Sequence, residues 1–362
     1  TVLRTSRFRI ALPQQAARAL LHHDYRNDST VSRMRSLYAL HLSLSVAIPA
    51  IQPRLRLSGT NRLRSAFHGG QRLKQLIQIQ KFDLLWIEYE IFPWLAATFE
   101  QMIKRRGIPY TVDYDDAIFH RYDHASSTLI RYVLGKKIGH VMRNSALVTA
   151  GNSYLAERAK MAVANHVMQL PTVVDRSRYR CKNATDNAYF TVGWIGSPTT
   201  TPYLELLRSP LQKLANILPL CLLTIGGAID AIPGVKMMSL TWSEANETEK
   251  LQQFDVGVMP LHDDLWERGK CGYKPIQYMA SGLPVVASPV RVSTQLVEHG
   301  VTSFHADTKE AWIAALTQLS NVLQLRSEMG VKGRIKVEND YSLSVMPPKL
   351  TNAIMGVTGK HR

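Results

Sequence analysis

Short apolar runs alternate along the chain with longer stretches of mixed polarity, and they do so twice over. In the first half, residues 83–87, 108–112 and 146–150 read as strands, with helices predicted over 92–106 and 154–162. Asn152 and Ser153 stand where helix-capping residues belong. Periodicity disappears between Val174 and Ala188, which places a linker there. It restarts with a strand at 190–195, a helix at 202–217, and a strand at 220–225 that ends in Gly226-Gly227. Further strands are predicted at 256–259 and 283–287. Apolar strands alternating with helices predict parallel sheets of the α/β class. Two such halves, facing each other across a cleft, would bind ligands outside the carboxyl ends of their strands.

Composition narrows the function classes. At 362 residues, 45% hydrophobic and 20% charged, the chain is too long for a hormone or a single binding module and too apolar for intrinsic disorder. Cys181, Cys221 and Cys271 are widely spaced and form no metal-binding pattern, so they read as free thiols. The longest apolar run, residues 37–51, is interrupted by His41, Ser43, Ser45 and Pro49 and falls short of the roughly 18 residues of a membrane span. It reads as buried core or as an interfacial segment. The opening at Thr1, with Arg4, Arg7 and Arg9 followed by no cleavable apolar core, suggests a fragment and not a processed secretory protein.

The net charge of +16 is unevenly placed. Residues 1–180 hold 27 Lys and Arg against 12 Asp and Glu, so +15 of the excess lies in that half. Such an asymmetry points to a polyanionic partner on one side, an anionic membrane leaflet or a nucleic acid, with solubility as the plain alternative. Arg54, Arg56, Arg62, Arg64 and Arg72 form no nucleic-acid-binding motif, so no specific nucleic acid is expected.

Candidate chemistry sits at the predicted strand ends. Gly196-Ser197-Pro198-Thr199-Thr200 follows a strand and opens a helix, so its N–H groups and hydroxyls suit a phosphate, although Ser and Thr there also serve as plain caps. Residues 266–287 are more specific. Arg268, Lys270 and Lys274, interleaved with Gly269 and Gly272, lead into a helix that stops at Gly282 before an apolar strand. These cations would neutralise a diphosphate leaving group. In the first half, Asp113-Tyr114-Asp115-Asp116 closes a strand and His120 lies beyond it. Asp113 and Asp115 imitate a metal-binding Asp-x-Asp, yet the cationic cluster already supplies phosphate neutralisation and no metal is expected. Glu88-Tyr89-Glu90 either lines an acceptor site or forms a solvated loop.

The segment from Trp266 to Ala287, with Gln295 to Val301 downstream, resembles the donor-binding region of the family 4 (group 1) glycosyltransferases of GT-B fold. Leu170 to Asp175, Ala150 to Ser153 and Tyr341 to Leu343 are similar to that family's interdomain segment, the strand end before it and the start of its final helix. The resemblance implies two Rossmann-like domains, residues 1–175 on the acceptor side and 189–340 on the nucleotide-sugar side, with residues 341–362 as a crossover helix and tail. It implies donor contacts at Gly196, Ser197, Thr199, Arg268, Lys270, Lys274, Gln277 and Glu298. The family's Glu-x7-Glu is replaced by Gly269 and Gln277, and Gln277 retains the capacity to hydrogen-bond a ribose hydroxyl. Asp113, Asp115 or His120 would orient a sugar hydroxyl or take the acceptor proton. Residues 5–9 and Leu12-Pro13 look like the helix that follows the family's first strand, with no apolar strand before them.

The implied activity is hexosyl transfer from a nucleotide-diphosphate sugar to a glycan or lipid-linked acceptor, with retention and without metal. The setting expected is bacterial envelope polysaccharide synthesis, in the cytoplasm at the inner face of an anionic membrane. A nucleotide-sugar epimerase and a non-catalytic polyanion-binding protein of the same fold are the alternatives.

Overall fold

A computed structural model describes residues 2–4, 9–11, 84–182, 184, 185 and 187–359. The apolar run at 37–51 and the arginines at 54, 56, 62, 64 and 72 lie outside the described residues. Contacts divide the chain into two compact units, one of residues 1–151, 155–170 and 347–362, the other of 152–154 and 171–346.

The first unit is built on β1 (Val2–Arg4), β2 (Arg9–Ala11), β3 (Leu84–Glu88), β4 (Tyr110–Tyr114), β5 (Leu147–Ala150) and β6 (Val167–Gln169), which lie side by side in chain order. All neighbours are parallel except β1 and β2. Arg9, expected in a helix, therefore lies in a strand, in which Ile10 stands opposite Leu84 and Ala11 opposite Leu85. The described helices are α1 (Thr98–Arg105), α2 (His120–Asp123), α3 (Thr128–Leu134), α4 (Lys137–Asn144) and α5 (Ser153–Met161). The helix predicted from residue 92 begins only at Thr98. Pro93 disfavours a helical Phe92, Trp94 takes a left-handed φ of 66°, and the Lys137 ammonium holds the Phe92 carbonyl at 2.6 Å.

That ammonium also pairs with Glu90, which accepts the Tyr122 hydroxyl on both oxygens at 2.8 and 3.0 Å. Glu90 and Lys137 are both buried. Glu90 is thus neither solvated nor acceptor-lining, and it belongs to an internal ion pair that pins the loop after β3. An unpaired charge at that depth would be costly, which explains why carboxylate, ammonium and phenol occur together.

The second unit contains β7 (Phe190–Ile195), α6 (Arg208–Ala215), β8 (Leu220–Ile225), β9 (Lys236–Leu240), α7 (Glu247–Leu251), β10 (Val256–Met259), α8 (Tyr273–Ala280), β11 (Val285–Ala287), α9 (Val292–Leu296), β12 (Phe304–His305), α10 (Lys309–Asn321) and α11 (Leu323–Asp340). Its strand order is β12-β11-β10-β7-β8-β9, with every pair parallel. The order reverses between β7 and β10, and their carboxyl ends mark the crevice where such sheets bind ligands. Residues 341–343, expected to open the final helix, instead bond to Val174 through Tyr341 O and Leu343 N at 3.0 and 3.1 Å. The final helix, α12, runs over Met346–Gly359.

Both faces of the second sheet are covered, by a cluster around Ile195, Ile225, Phe254 and Tyr278 and by another around Val192, Leu211, Val256 and Trp312. Gly193 and Gly257 face each other in register. A Cβ on Gly193 would lie 1.9 Å from the Phe254 ring, and one on Gly257 would lie 2.2 Å from the Tyr278 ring. The paired glycines therefore let α8 settle directly on the strands. Gly193→Ala is expected to lower stability by about 1–3 kcal/mol through overpacking, read as a lower denaturation midpoint; a midpoint equal to wild type would contradict this packing.

Candidate functional site

In the second unit, the reversal point gathers short loops and one ammonium. After β7 the chain turns at Gly196, whose N–H donates to Ile225 O at 2.9 Å, and the Gly226 N–H after β8 donates to Leu240 O at 2.9 Å. Gly226 has φ 84°, and a Cβ there would lie 2.5 Å from the Gly196 carbonyl. A Cβ on Gly227 would meet Thr201 Oγ1 at 2.4 Å. Only glycine fits this double turn, and it keeps the backbone bare for a ligand. Ser197 and Thr199 are exposed and bond to each other at 2.8 Å. The element they open is a 3-10 helix, Thr201–Leu207, ahead of α6, and not the α-helix expected from residue 202. Three donors of Thr200 and Thr201 bond back to Ser197 O, so the loop caps itself and the expected helix-dipole site is not formed as such.

Lys274 lies in the first turn of α8. Its ammonium sits 4.4 Å from the centre of the Trp194 ring, 3.4 Å from Thr200 Oγ1, and 2.8 Å from where a Gly196 Cβ would stand. Burial, and then the nearby Lys270 charge, push its pKa down to about 7. Beside it, Gly226, Gly227, Ala228, Ser239, Leu240, Thr241 and Trp242 line a pocket of about 460 Å³, a size suited to a small ligand. Trp242 is half exposed and its indole N–H donates to Glu247 at 2.8 Å.

The structure thus brings together Gly196, Thr200 and Lys274, and adds Trp194 to them. Arg268 instead holds Asp263 through two bonds of 2.8 and 3.1 Å. Lys270 lies 5.7 Å from the Trp266 ring centre, and the Asn152 amide donates to the carbonyls of Arg268 and Lys270 at 3.1 and 2.9 Å. Gln277 is 2% exposed and donates to the Tyr179 hydroxyl at 3.2 Å, so its amide is engaged inside the unit. Glu298 pairs with Lys336 on α11. Pocket-lining Trp242 escaped the sequence reading because the exposed strand before it, β9, shows no alternation; Gly226-Gly227 after an apolar strand was the available signal.

The first unit gathers carboxyls at the ends of β3 and β4. Glu88 stands opposite Asp113 in register, and Asp113 stands opposite Thr149, whose hydroxyl it accepts. Asp115 accepts the Tyr89 hydroxyl. Burial, followed by the charges of Asp113 and Asp115, raises Glu88 to about 7, and burial raises Asp113 to about 6 against the lowering effect of Thr149. His120 joins a different group, bonding Asp123 Oδ1 through Nδ1 at 2.8 Å. Cys181, Cys221 and Cys271 are free thiols.

Residues 222–321, which run from within β8 to the end of α10, match the family described as Glycosyl transferases group 1. No curated protein sequence matches the chain. Among solved structures, the chain is similar to sucrose-phosphate synthase from Thermosynechococcus elongatus, with TM-score 0.64 and 13% identity over 89% of this chain and 84% of that one. It is also similar to HepE of Anabaena in complex with UDP, with TM-score 0.58 and 14% identity over 79% and 82% of the two chains. A UDP-forming α,α-trehalose-phosphate synthase from Burkholderia xenovorans gives TM-score 0.58 and 12% identity over 83% and 80%. These likenesses establish the fold as GT-B, as the group 1 resemblance implied.

The lowered pKa of Lys274 makes anion binding beside it depend on pH. A bound diphosphate favours the charged ammonium, so above pH 7 binding must draw a proton from solution, whereas below pH 6 the group is already charged. Calorimetric titration of UDP at pH 8.5 in buffers of different ionisation enthalpy is expected to show uptake of close to one proton, abolished in Lys274→Met. Heats independent of buffer at that pH would contradict the assignment.

Proposed function

We propose that the protein transfers a hexose from a nucleotide-diphosphate sugar to a glycan or lipid-linked acceptor, with retention and without a metal on the diphosphate. The observation that carries this reading is the Lys274 ammonium, sunk beside the bare glycine turns at the reversal point of the second unit. Among the described residues no carboxylate bonds to that ammonium, and a diphosphate would supply the anion that its burial calls for. Trp242 and the pocket beside Gly226-Gly227 offer a flat apolar face and polar backbone for the base. The UDP complex of HepE and the UDP-forming trehalose-phosphate synthase support a nucleotide-diphosphate donor.

Lys270, whose charge is felt at Lys274, would add to the charge offered to the diphosphate, and Arg268 would join it by exchanging Asp263 for phosphate oxygens. Ser197 and Thr199 supply hydroxyls to the same group. Gln277 and Glu298, engaged with Tyr179 and Lys336, act at one remove by fixing α8 and the loop after α9. In the first unit, Asp113 and Glu88 change protonation close to neutrality, which suits a group that orients a sugar hydroxyl or takes the acceptor proton. Asp115 holds the Tyr89 phenol beside them.

Calorimetry with UDP and GDP tests the donor site. Lys274→Ala is expected to weaken binding by about 1.5–3 kcal/mol, or roughly one to two decades, and turnover is expected to survive EDTA. Unchanged affinity in the folded variant would refute the donor site, and activity restored only by Mn²⁺ after chelation would transfer the diphosphate to a metal.

The acceptor reading includes peripheral attachment to an anionic membrane at the cytoplasmic face, in bacterial envelope polysaccharide synthesis. Its support is the +15 before residue 181. No described helix is long and apolar enough to cross a membrane. The chain is expected to sediment with anionic and not neutral vesicles, and to be released by salt. Binding to neutral vesicles that persists in high salt would contradict an electrostatic attachment.

A further inference from the structure

The short helix α2 and the residue after it bring two imidazoles and a carboxylate to one point. His120, Asp123 and His124 are spaced i, i+3 and i+4, which puts them on one helical face. Their potential ligand atoms all lie within 4.8 Å of one another, and no other group of His, Cys, Asp or Glu among the described residues converges this way. Asp123 Oδ1 is 2.8 Å from His120 Nδ1 and 4.0 Å from His124 Nε2.

We propose that His120, Asp123 and His124 form a binding site for a divalent transition-metal ion of the Zn²⁺ class, independent of the proposed diphosphate site in the second unit. Two nitrogens and one oxygen are the donor set that imidazole-preferring ions take. In a tetrahedral site with bonds of about 2.0–2.1 Å the donor atoms stand roughly 3.3 Å apart. The observed 2.8 and 4.0 Å bracket that spacing. The two imidazoles stand no more than 4.8 Å apart, and rotation of His124, which is the exposed member of the three, would close the difference.

The surroundings are arranged to hold the carboxylate in place. Arg158 on α5 bonds Asp123 Oδ2 at 3.0 Å and lies over the Phe119 ring at 4.7 Å, so it fixes one oxygen and leaves Oδ1 turned toward the imidazoles. His120 is largely buried and its ring packs edge-on against that of His124, with centroids 4.7 Å apart. With three protein ligands a fourth position remains for water or an exogenous donor. A His120–Asp123 hydrogen bond alone would not require the second imidazole, and that difference makes the proposal testable through His124.

The experiment is titration of ZnCl2 into the purified full chain by calorimetry, with Co²⁺ as a spectroscopic probe. Wild type is expected to take up one ion saturably and to give the visible ligand-field bands of a four-coordinate Co²⁺ site. Affinity is expected to fall by about tenfold or more in His124→Ala and in Asp123→Asn. His124 is exposed, so its truncation leaves the fold in place, and unchanged melting temperatures confirm that for both variants. Absence of saturable binding in wild type overturns the proposal. So does binding that both folded variants retain in full, because the ion would then sit on other histidines. No donor or acceptor is present in this assay, so its outcome is separate from that of the glycosyl-transfer reading.

Discussion

The phenol of Tyr278 fixes the geometry on which the second unit depends. Its oxygen accepts the Ile195 N–H at the end of β7 at 3.0 Å and donates to Val258 O on β10 at 3.4 Å, spanning the point where the strand order reverses. The ring fits there only because Gly257 lacks a side chain, and Phe254 fits beside it because Gly193 does too. Tyr278 and Lys274 are four residues apart on α8 and share a face. The hydrogen bonds that lock the phenol to two strand ends thereby place the Lys274 ammonium over Trp194 and against Gly196. The position of the candidate phosphate ligand is a consequence of core packing.

The two units hold opposite charges in comparable settings. The second buries an ammonium beside a hydroxyl and an indole, which lowers its pKa, and the first gathers Glu88, Asp113 and Asp115 at strand ends, which raises the pKa of the first two. Both departures arise first from desolvation, so each group is brought nearer to neutrality where its charge can respond to a ligand. By contrast, Glu90 and Lys137 neutralise each other directly and serve the loop after β3. Comparable residue types thus divide into structural and responsive groups according to whether a counter-charge was buried with them.

Much of the α/β architecture was legible, because strands covered on both faces read as unbroken apolar runs: residues 190–195, 220–225 and 256–259 match β7, β8 and β10. The exposed β9 lacked that signal, and with it Trp242 was missed. Helix starts were misplaced at Phe92 and Pro202, where a lysine 45 residues away and a self-capping Ser197 carbonyl determine the backbone. For the candidate site, the cationic stretch identified Lys274 but not its partners. Arg268, Gln277 and Glu298 each meet a residue whose proximity is created only by folding: Asp263, Tyr179 and Lys336. Likewise Glu90 and Glu88, two residues apart in the sequence, differ in their fate because Lys137 comes from a distant helix.

The proposed function turns on whether the reversal point of the second unit receives a nucleotide diphosphate. The most direct measurement is the melting temperature of the chain across a panel of nucleotide-diphosphate sugars, with the matching monophosphates and free sugars as controls. A cognate donor at about 100 times its dissociation constant adds roughly 2.7 kcal/mol to the folded state. The expected result is that sugars carried on one nucleotide base raise the melting temperature while the controls at equal concentration do not. A panel in which no nucleotide-diphosphate sugar raises it above those controls would contradict the claim.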